Sequence, residues 1–555
     1  MVEKVYTLIL EADGADEFTY NQFFTIDDII TLPVITKSGY VFKGWYTSPD
    51  FTGEKLTVLN GSIARDITLY AKWGTVEINN VLDFVSDTVT SYTIDELPSS
   101  YEGATLEWSS SNEHLYVIQN NMGYTLRRYQ THKAQIVNVN VKVTKDGVTK
   151  EYNKDITINP VLFDEMEHPK AVYFAVGSAS SYMKWSTRYN NDKELFSTLF
   201  KENMDMVYYA FAIPQEDGTL TINTSLIEKV MELKNYGIRV NIVIDGANRA
   251  PLQAMVKLCN NDATRATFVN NIINIVTQYN FDGIDVDWEF PGILSGNAGY
   301  GDYTTAVDRT NLNKLLRDLR SKLDSIQDAG GSKYILSVAT PPTYWGTDRF
   351  DYDGRYSNGV GGINHYCDYV NMMSYDLNKS STTSHVAHVY SPSNSYSYKF
   401  SCDYGVTYYT SLGLSKNKII LGAAAYGKAY NITGTVNEKA KYPALGVTGT
   451  LGQVSGYNLP GQSITWNSGT IYYTGIKTLM DSGNFVQYDE YNNDNKFVGS
   501  YLYSSKDKVF ITFDSELAIK EKCKYASSNP GMGIMVWAYG EDATDTIVNT
   551  ICNNL

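Results

Sequence analysis

From residue 165 onward, short apolar runs alternate with longer amphipathic or polar stretches. That alternation is the pattern of βα units around a parallel sheet, whose strands are buried on both faces. Ala171 to Val176, Met206 to Ile213, Val240 to Ile244 and Phe281 to Phe290 read as the first four strands. Tyr334 to Ala339, Tyr369 to Tyr375, Ile419 to Ala424 and Gly533 to Trp537 read as the next four. Leu226 to Tyr236 has the amphipathic spacing of a helix between the second and third. Eight such units predict an α/β TIM barrel, (β/α)8, with its chemistry at the C-terminal ends of the strands. The gap between strands seven and eight is too long for a loop. Residues 430–530 hold strand-like pieces of their own, Thr470 to Tyr473 and Lys508 to Phe513, so an α+β insertion is expected there.

Before residue 165 the pattern is one of short strands. Gly39 to Tyr46 alternates large apolar with polar residues, and Asp66 to Trp73 closes a unit over residues 1–74. In residues 75–162, Leu106 to Asn112 reads as a strand running into a polar turn. Val137, Val139, Val141 and Val143 alternate strictly, as on a half-buried strand, and Asp146-Gly147 marks a hairpin turn after them. Asn159-Pro160 reads as the exit into the barrel, which takes residues 163–555. The chain is therefore multidomain, with two small β-rich modules ahead of the barrel. Trp45 and Tyr46 could form a sugar platform, but packing is favoured, because a small domain needs large aromatics to bury enough surface.

Bulk properties change this picture only by exclusion. A length of 555 residues suits two to four domains. A net charge of −15 argues against nucleic acid or an anionic membrane surface as the main partner. No apolar run approaches a membrane span, and no secretory apolar stretch follows Met1, so a mature or trimmed chain is expected. The five cysteines, Cys259, Cys367, Cys402, Cys523 and Cys552, lack CxxC spacing and read as free buried thiols.

Candidate chemistry concentrates on strand four, in Asp282-Gly283-Ile284-Asp285-Val286-Asp287-Trp288-Glu289. Side chains two apart on a strand share a face, so Asp285, Asp287 and Glu289 form a column with roughly 7 Å between successive members. Asp282 has the other parity and sits at the strand's start. Like charges so close raise one another's pKa values unless they share protons. Sharing keeps the outermost group, Glu289, protonated near neutral pH and able to act as a general acid. A divalent-metal site and a solvated acidic edge are the other readings. A metal site usually recruits ligands from several segments, and a solvated edge is not interleaved with Ile, Val and Trp, so catalysis is favoured.

The residues DGIDVDWE at 282–289 resemble the active-site signature of glycoside hydrolase family 18, the chitinases and endo-β-N-acetylglucosaminidases. Val207 to Ala212 resembles that family's second strand, Met373-Ser374-Tyr375-Asp376 its MxYD motif, Ala425-Tyr426-Gly427-Lys428 its YGR motif, and Met535-Val536-Trp537 its eighth-strand tryptophan. The large insertion resembles the small α+β domain of one branch. The resemblance implies a retaining reaction in which the substrate's own 2-acetamido group is the nucleophile. It implies Glu289 as the acid, Asp287 as the group that orients the acetamido N–H, Asp285 as the proton-sharing partner of Asp287, and Tyr375 as a donor to the acetamido carbonyl. It implies Asp376, Met373, Trp537, Tyr426, Lys428, Tyr173, Phe211 and Phe290 as cleft residues, with Trp537 the floor beneath the −1 sugar. Neither metal nor cofactor is implied.

Several positions depart from the family's pattern. The third-strand motif stands here as Ile244-Asp245-Gly246-Ala247, Lys428 replaces Arg, and Leu377-Asn378-Lys379-Ser380 follows Asp376 where many chitinases have glycine and a nearby tryptophan. These changes thin the aromatic platforms beyond the −1 site. The leading expectation is a chitinase-type enzyme acting on β-1,4-linked N-acetylglucosamine. The alternatives are an enzyme cutting the chitobiose core of N-glycans and a non-catalytic chitinase-like lectin. Residues 1–74 resemble the Listeria–Bacteroides repeat of bacterial surface proteins, and residues 75–162 a bacterial immunoglobulin-like sandwich. These resemblances imply a secreted or cell-surface bacterial protein with cell-wall or matrix contact through its N-terminal modules; separately, a monomer is expected.

Overall fold

Parallel strand pairing closes the C-terminal unit into a barrel in the computed structural model. Its strands are β1 (Lys170–Ala175), β2 (Met206–Pro214), β3 (Arg239–Gly246), β4 (Gly283–Trp288), β5 (Ile335–Thr340), β6 (Tyr369–Met372), β7 (Ile419–Ala424) and β8 (Gly533–Trp537). Each pairs in parallel with the next, and β8 pairs back onto β1, so no barrel strand is left as an open edge. The structure describes residues 4–555 other than 17, 19, 38–39, 61–62, 75–77, 87, 90–93, 111–114, 121–122, 129–134, 146–147, 159–165, 177–194, 292–306, 328–331, 343–349, 358, 395–396, 458 and 460–468.

Continuous Val, Ile and Ala runs make these strands, because both faces are covered: β3, β4, β5 and β7 are buried at every position. Two expectations shift in detail. β6 stops at Met372 rather than Tyr375, and the chain then turns, with the Ser374 N–H donating to the Met372 carbonyl at 2.7 Å. The stretch expected as one helix at Leu226 to Tyr236 is an α-helical turn, Ile227–Met231, followed by a 3₁₀ turn, Glu232–Tyr236. Gly237 ends it at φ 77°, a left-handed conformation suited to glycine.

The insertion begins directly after β7. An antiparallel sheet runs in the order Gly449–Leu451, Tyr426–Ile432, Val509–Phe513, Phe497–Ser504, Val486–Tyr491, with Thr470–Tyr472 also on Tyr426–Ile432. The helix Tyr473–Asp481 follows that last strand. The inserted sheet thus spans 426–513 rather than 430–530. The later helix, Glu516–Ser527, packs on β7 and β8 as a barrel helix.

The N-terminal 160 residues form a separate compact unit. One five-stranded sheet, with Tyr6–Glu11 parallel to Ile67–Gly74 at its centre, carries a core in which Trp45 is 1% exposed and donates its indole N–H to the Pro33 carbonyl at 2.8 Å. Trp45 is therefore core, as its size predicts for so small a module. Beyond it, a five-stranded and a three-stranded sheet share one core that holds Trp108, Val137, Val139, Val141 and Val143. Lys145 and Val148 pair across the expected hairpin. The turn residues Asp146 and Gly147, and the exit Asn159-Pro160, lie outside the described residues.

Asp282, just before β4, fixes the start of the functional strand. Its Oδ1 meets the Lys234 Nζ at 2.6 Å with both side chains fully buried, and its Oδ2 accepts the Val240 N–H of β3 at 2.8 Å. Lys234 also donates to the Asn280 carbonyl at 2.7 Å. Removing one partner of such a pair strands a buried charge. Lys234→Met is expected to cost about 3–5 kcal/mol of barrel stability in chemical denaturation. Adding Asp282→Asn should restore much of that loss; an equal loss in the double variant would assign the effect to packing instead.

Candidate active site

Strand register decides which β4 side chains point into the barrel. Asp285 is paired with Val243 of β3 and Ser337 of β5, and Asp287 with Asp245 of β3. Val243 belongs to the barrel's inner cluster, so the column Asp285, Asp287, Glu289 runs up the inside toward the C-terminal rim. The expected column is therefore formed.

At its base Asp285 is fully buried and fully bonded. Its Oδ2 accepts the Tyr173 hydroxyl at 2.7 Å, and its Oδ1 accepts the Ser337 hydroxyl at 2.6 Å and the Asn371 amide at 3.0 Å. The same Asn371 amide donates to the Tyr173 oxygen at 2.9 Å. Burial pushes the Asp285 carboxyl up to about 6, against the pull of these three hydrogen bonds.

Asp287 sits above it, and its Oδ1 is buried with no hydrogen-bond partner. Burial holds its carboxyl well above the usual range, followed by the charges of Glu289, Asp285 and Asp245 and a hydrogen bond to Glu289. Burial also raises Glu289, to about 7, with Asp376 and Asp245 adding to the shift and the Asp287 hydrogen bond opposing it. Asp287 and Glu289 thus share a proton. The sequence expectation put that proton between Asp285 and Asp287. Here Asp285 takes its three hydrogen bonds from Tyr173, Ser337 and Asn371, and the hydrogen bond of Asp287 goes to Glu289.

Tyr375 stands beside the pair. Its burial and the nearby charges of Asp287, Glu289 and Asp376 keep the phenol protonated and thus a donor. Gly422 of β7 makes room for its ring: a Cβ there would lie 2.7 Å from Tyr375 Cε1. At the rim Asp376 adopts φ 56° and is more than half exposed, with Lys428 Nζ 3.3 Å from its Oδ1. Lys428 also donates to the Thr470 hydroxyl at 3.0 Å and lies 5.2 Å from the Tyr426 ring centre. The ammonium gives Asp376 a compact charge rather than the planar fork of Arg.

One cluster unites Tyr173, Tyr375 and Tyr426 with the partly buried Phe211, Met373 and Trp537. The Trp537 ring lies 5.4 Å from Tyr173 and 5.9 Å from Phe211, and it is partly exposed. Phe290 packs elsewhere, edge-on to Phe350 at 6.3 Å. Tyr173 needs correcting: it is 2% exposed and its hydroxyl is bound to Asp285, so it supports the column instead of lining the cleft. Tyr426 is also buried, with its hydroxyl toward Asp376 at the rim.

Three functional neighbours escaped the sequence reading. Ser337 and Asn371 were legible only as polar residues inside apolar strand runs, a signal that a buried partner awaits them. Asp245 registered merely as a departure from a motif. Among the described residues, no group of three or more His, Cys, Asp and Glu side chains is arranged to hold a metal ion.

Residues 6–72 match the Listeria-Bacteroides repeat domain. Chitinase 1 of Aphanocladium album is 28% identical over 295 residues, covering 52% of this chain and 59% of that protein. Endochitinase 1 of Metarhizium robertsii is 29% identical over 300 residues, covering 53% and 60%. The chain thus spans less than two thirds of either relative. A family 18 N-acetylglucosaminidase from Paenibacillus barengoltzii shares the fold at a TM-score of 0.54 and 22% identity, over 70% of this chain and all of that one. Residues 179–542, about two thirds of the chain, match the family described as glycosyl hydrolases family 18, which joins the signature on β4 to the closed barrel around it. The chain belongs to glycosyl hydrolase family 18.

Proposed function

We propose that this protein is a chitinase-type hydrolase that cleaves β-1,4-linked N-acetylglucosamine with retention, using the substrate's acetamido group as nucleophile. The observation that carries this reading is the unpartnered Asp287 Oδ1, a buried acceptor beside a protonated tyrosine and a shared carboxyl proton. An acetamido N–H supplies the donor that this oxygen lacks, and the Tyr375 hydroxyl meets the acetamido carbonyl. When the N–H takes its place on Asp287, the shared proton passes to Glu289, which delivers it to the glycosidic oxygen. The bond from that oxygen to the anomeric carbon breaks as the acetamido oxygen attacks, giving an oxazolinium ion. Water, losing its proton to Glu289, then opens the ring from the face the leaving group left. The negative Asp287 offsets the positive charge that develops.

Glu289, present and protonatable, supports catalysis over a lectin role. Chitinase names among the relatives support chitin or chito-oligosaccharides as substrate. The thinned platforms after Asp376 favour short soluble chains, and the chitobiose core of N-glycans is the second reading on that ground. Product analysis with chitin oligomers beside a high-mannose glycoprotein separates the two. The repeat at residues 6–72 supports a secreted or surface location with cell-wall contact.

Glu289→Gln should retain sugar binding in calorimetry and lose at least a hundredfold in turnover, roughly the low end for general acid catalysis. Because the acid is available only while the pair holds its shared proton, and Glu289 is raised to about 7, the parent's kcat/KM should fall as pH rises above neutrality; an acidic loss with no alkaline limb would contradict the role. Gluco-configured oligosaccharides should resist cleavage even where they bind, and a thiazoline analogue of the oxazolinium should inhibit. Trapping a glycosyl group on any carboxylate would overturn the mechanism. Removing Met1–Pro160, a compact unit of its own, should leave turnover of a soluble trisaccharide within about twofold and lower activity only on insoluble polymer, where a tether raises local concentration.

A further inference from the structure

Asp245 is a fourth carboxylate at the column. It is the last residue but one of β3, in register with Asp287, and is 3% exposed. Equal register on neighbouring parallel strands puts both side chains on the barrel's inner side. Two neutral donors hold Asp245 in place: the Ala247 N–H meets its Oδ1 at 3.0 Å, and the Asn248 amide its Oδ2 at 3.3 Å. Two N–H groups facing two oxygens suit a carboxylate, which only accepts. The turn that follows β3 thus fixes a negative group beside the proton-sharing pair. The Glu289 N–H donates to the Gly246 carbonyl at 3.1 Å, so the same turn also anchors the backbone of the acid.

We propose that Asp245 is a positioning residue for the acid: its carboxylate, fixed across the β3–β4 pair, keeps the shared proton on Asp287 and Glu289 in the pH range of turnover. The proposal rests on the reading of Glu289 as general acid. The other groups facing the pair are Asp285 from β4, Tyr375 and Asp376 from the segment after β6, and Tyr173 from β1. Lys428 from the insertion is a cation at the rim, where it is paired with Asp376. On Glu289 the charge of Asp376 weighs more than that of Asp245, but Asp376 is more than half exposed and open to screening by salt, whereas Asp245 is buried. Both raise proton affinity on the pair, with burial the larger cause.

Asp245→Asn keeps an acceptor for the Ala247 N–H and drops the charge; Asp245→Ser does the same with a smaller side chain. In both, the alkaline limb of kcat/KM on a soluble chito-oligosaccharide should move to lower pH by about one unit, since a like charge that favoured the protonated form is gone. The low-pH plateau should stay within about threefold. An unmoved limb, or a loss equal at every pH, would overturn the proposal. A shift in Asp245→Ser alone would assign the effect to volume and overturn it equally. The protonated-carboxyl infrared band, followed with pH in the parent and both variants, reads the same proton without any substrate. It should vanish at lower pH in the variants. Identical bands in all three chains would reject the role of Asp245 even if the parent cleaved no chito-oligosaccharide, which would count against the enzymatic reading separately.

Discussion

Three carboxyl groups stacked inside a barrel cannot all be charged, and the site is organised around that constraint. Asp285 rises from its usual 3.8 to about 6 despite three hydrogen bonds, which puts about 3 kcal/mol against its ionised form. Above it, Asp287 and Glu289 share a proton because two neighbouring buried anions would cost more. The base of the column is polar and held by three hydrogen bonds, the middle carries an acceptor that receives none, and the top is only partly buried. That gradient is what an acid with an adjacent orienting group requires.

Supports for the column come from every side of the barrel. Tyr173 on β1, Ser337 on β5 and Asn371 on β6 converge on Asp285, so three strands must close correctly before its charge is tolerated. Tyr375 is held from behind. The Ser374 hydroxyl donates to the Gly422 carbonyl and accepts the Gly422 N–H, both at 2.9 Å, which ties the turn after β6 to β7. Lys522, buried in the helix Glu516–Ser527, donates to the same carbonyl at 2.6 Å and to Asp514 at 2.6 Å. Asp514 in turn accepts the Ala424 N–H at 2.9 Å. The segment leaving the insertion therefore locks the strand on which Tyr375 leans. Such a buried pair adds little net stability, but losing either partner would strand a charge beneath the site.

Much of the fold was legible because its signals are local. The apolar runs that became β7 and β8 were bounded to the residue, and parity alone put Asp285, Asp287 and Glu289 on one face. Trp45 followed from the needs of a small core. Motif resemblance supplied Tyr375, Asp376 and Trp537, which the barrel brings close to that face. The inserted sheet was visible as extra strands, but its start at Tyr426 was not, because the break after β7 carries no turn residue.

What the sequence determined by itself is the set of groups and their order along each strand, since burial and alternation are properties of neighbours in the chain. Tertiary structure alone decided which groups met. Barrel closure gave Asp285 to Tyr173, 112 positions away, and so removed that tyrosine from the cleft wall. Register between β3 and β4 set Asp245 beside Asp287, a pairing that no spacing within either strand encodes. Proton affinities follow from those meetings, because desolvation and charge act through space rather than along the chain.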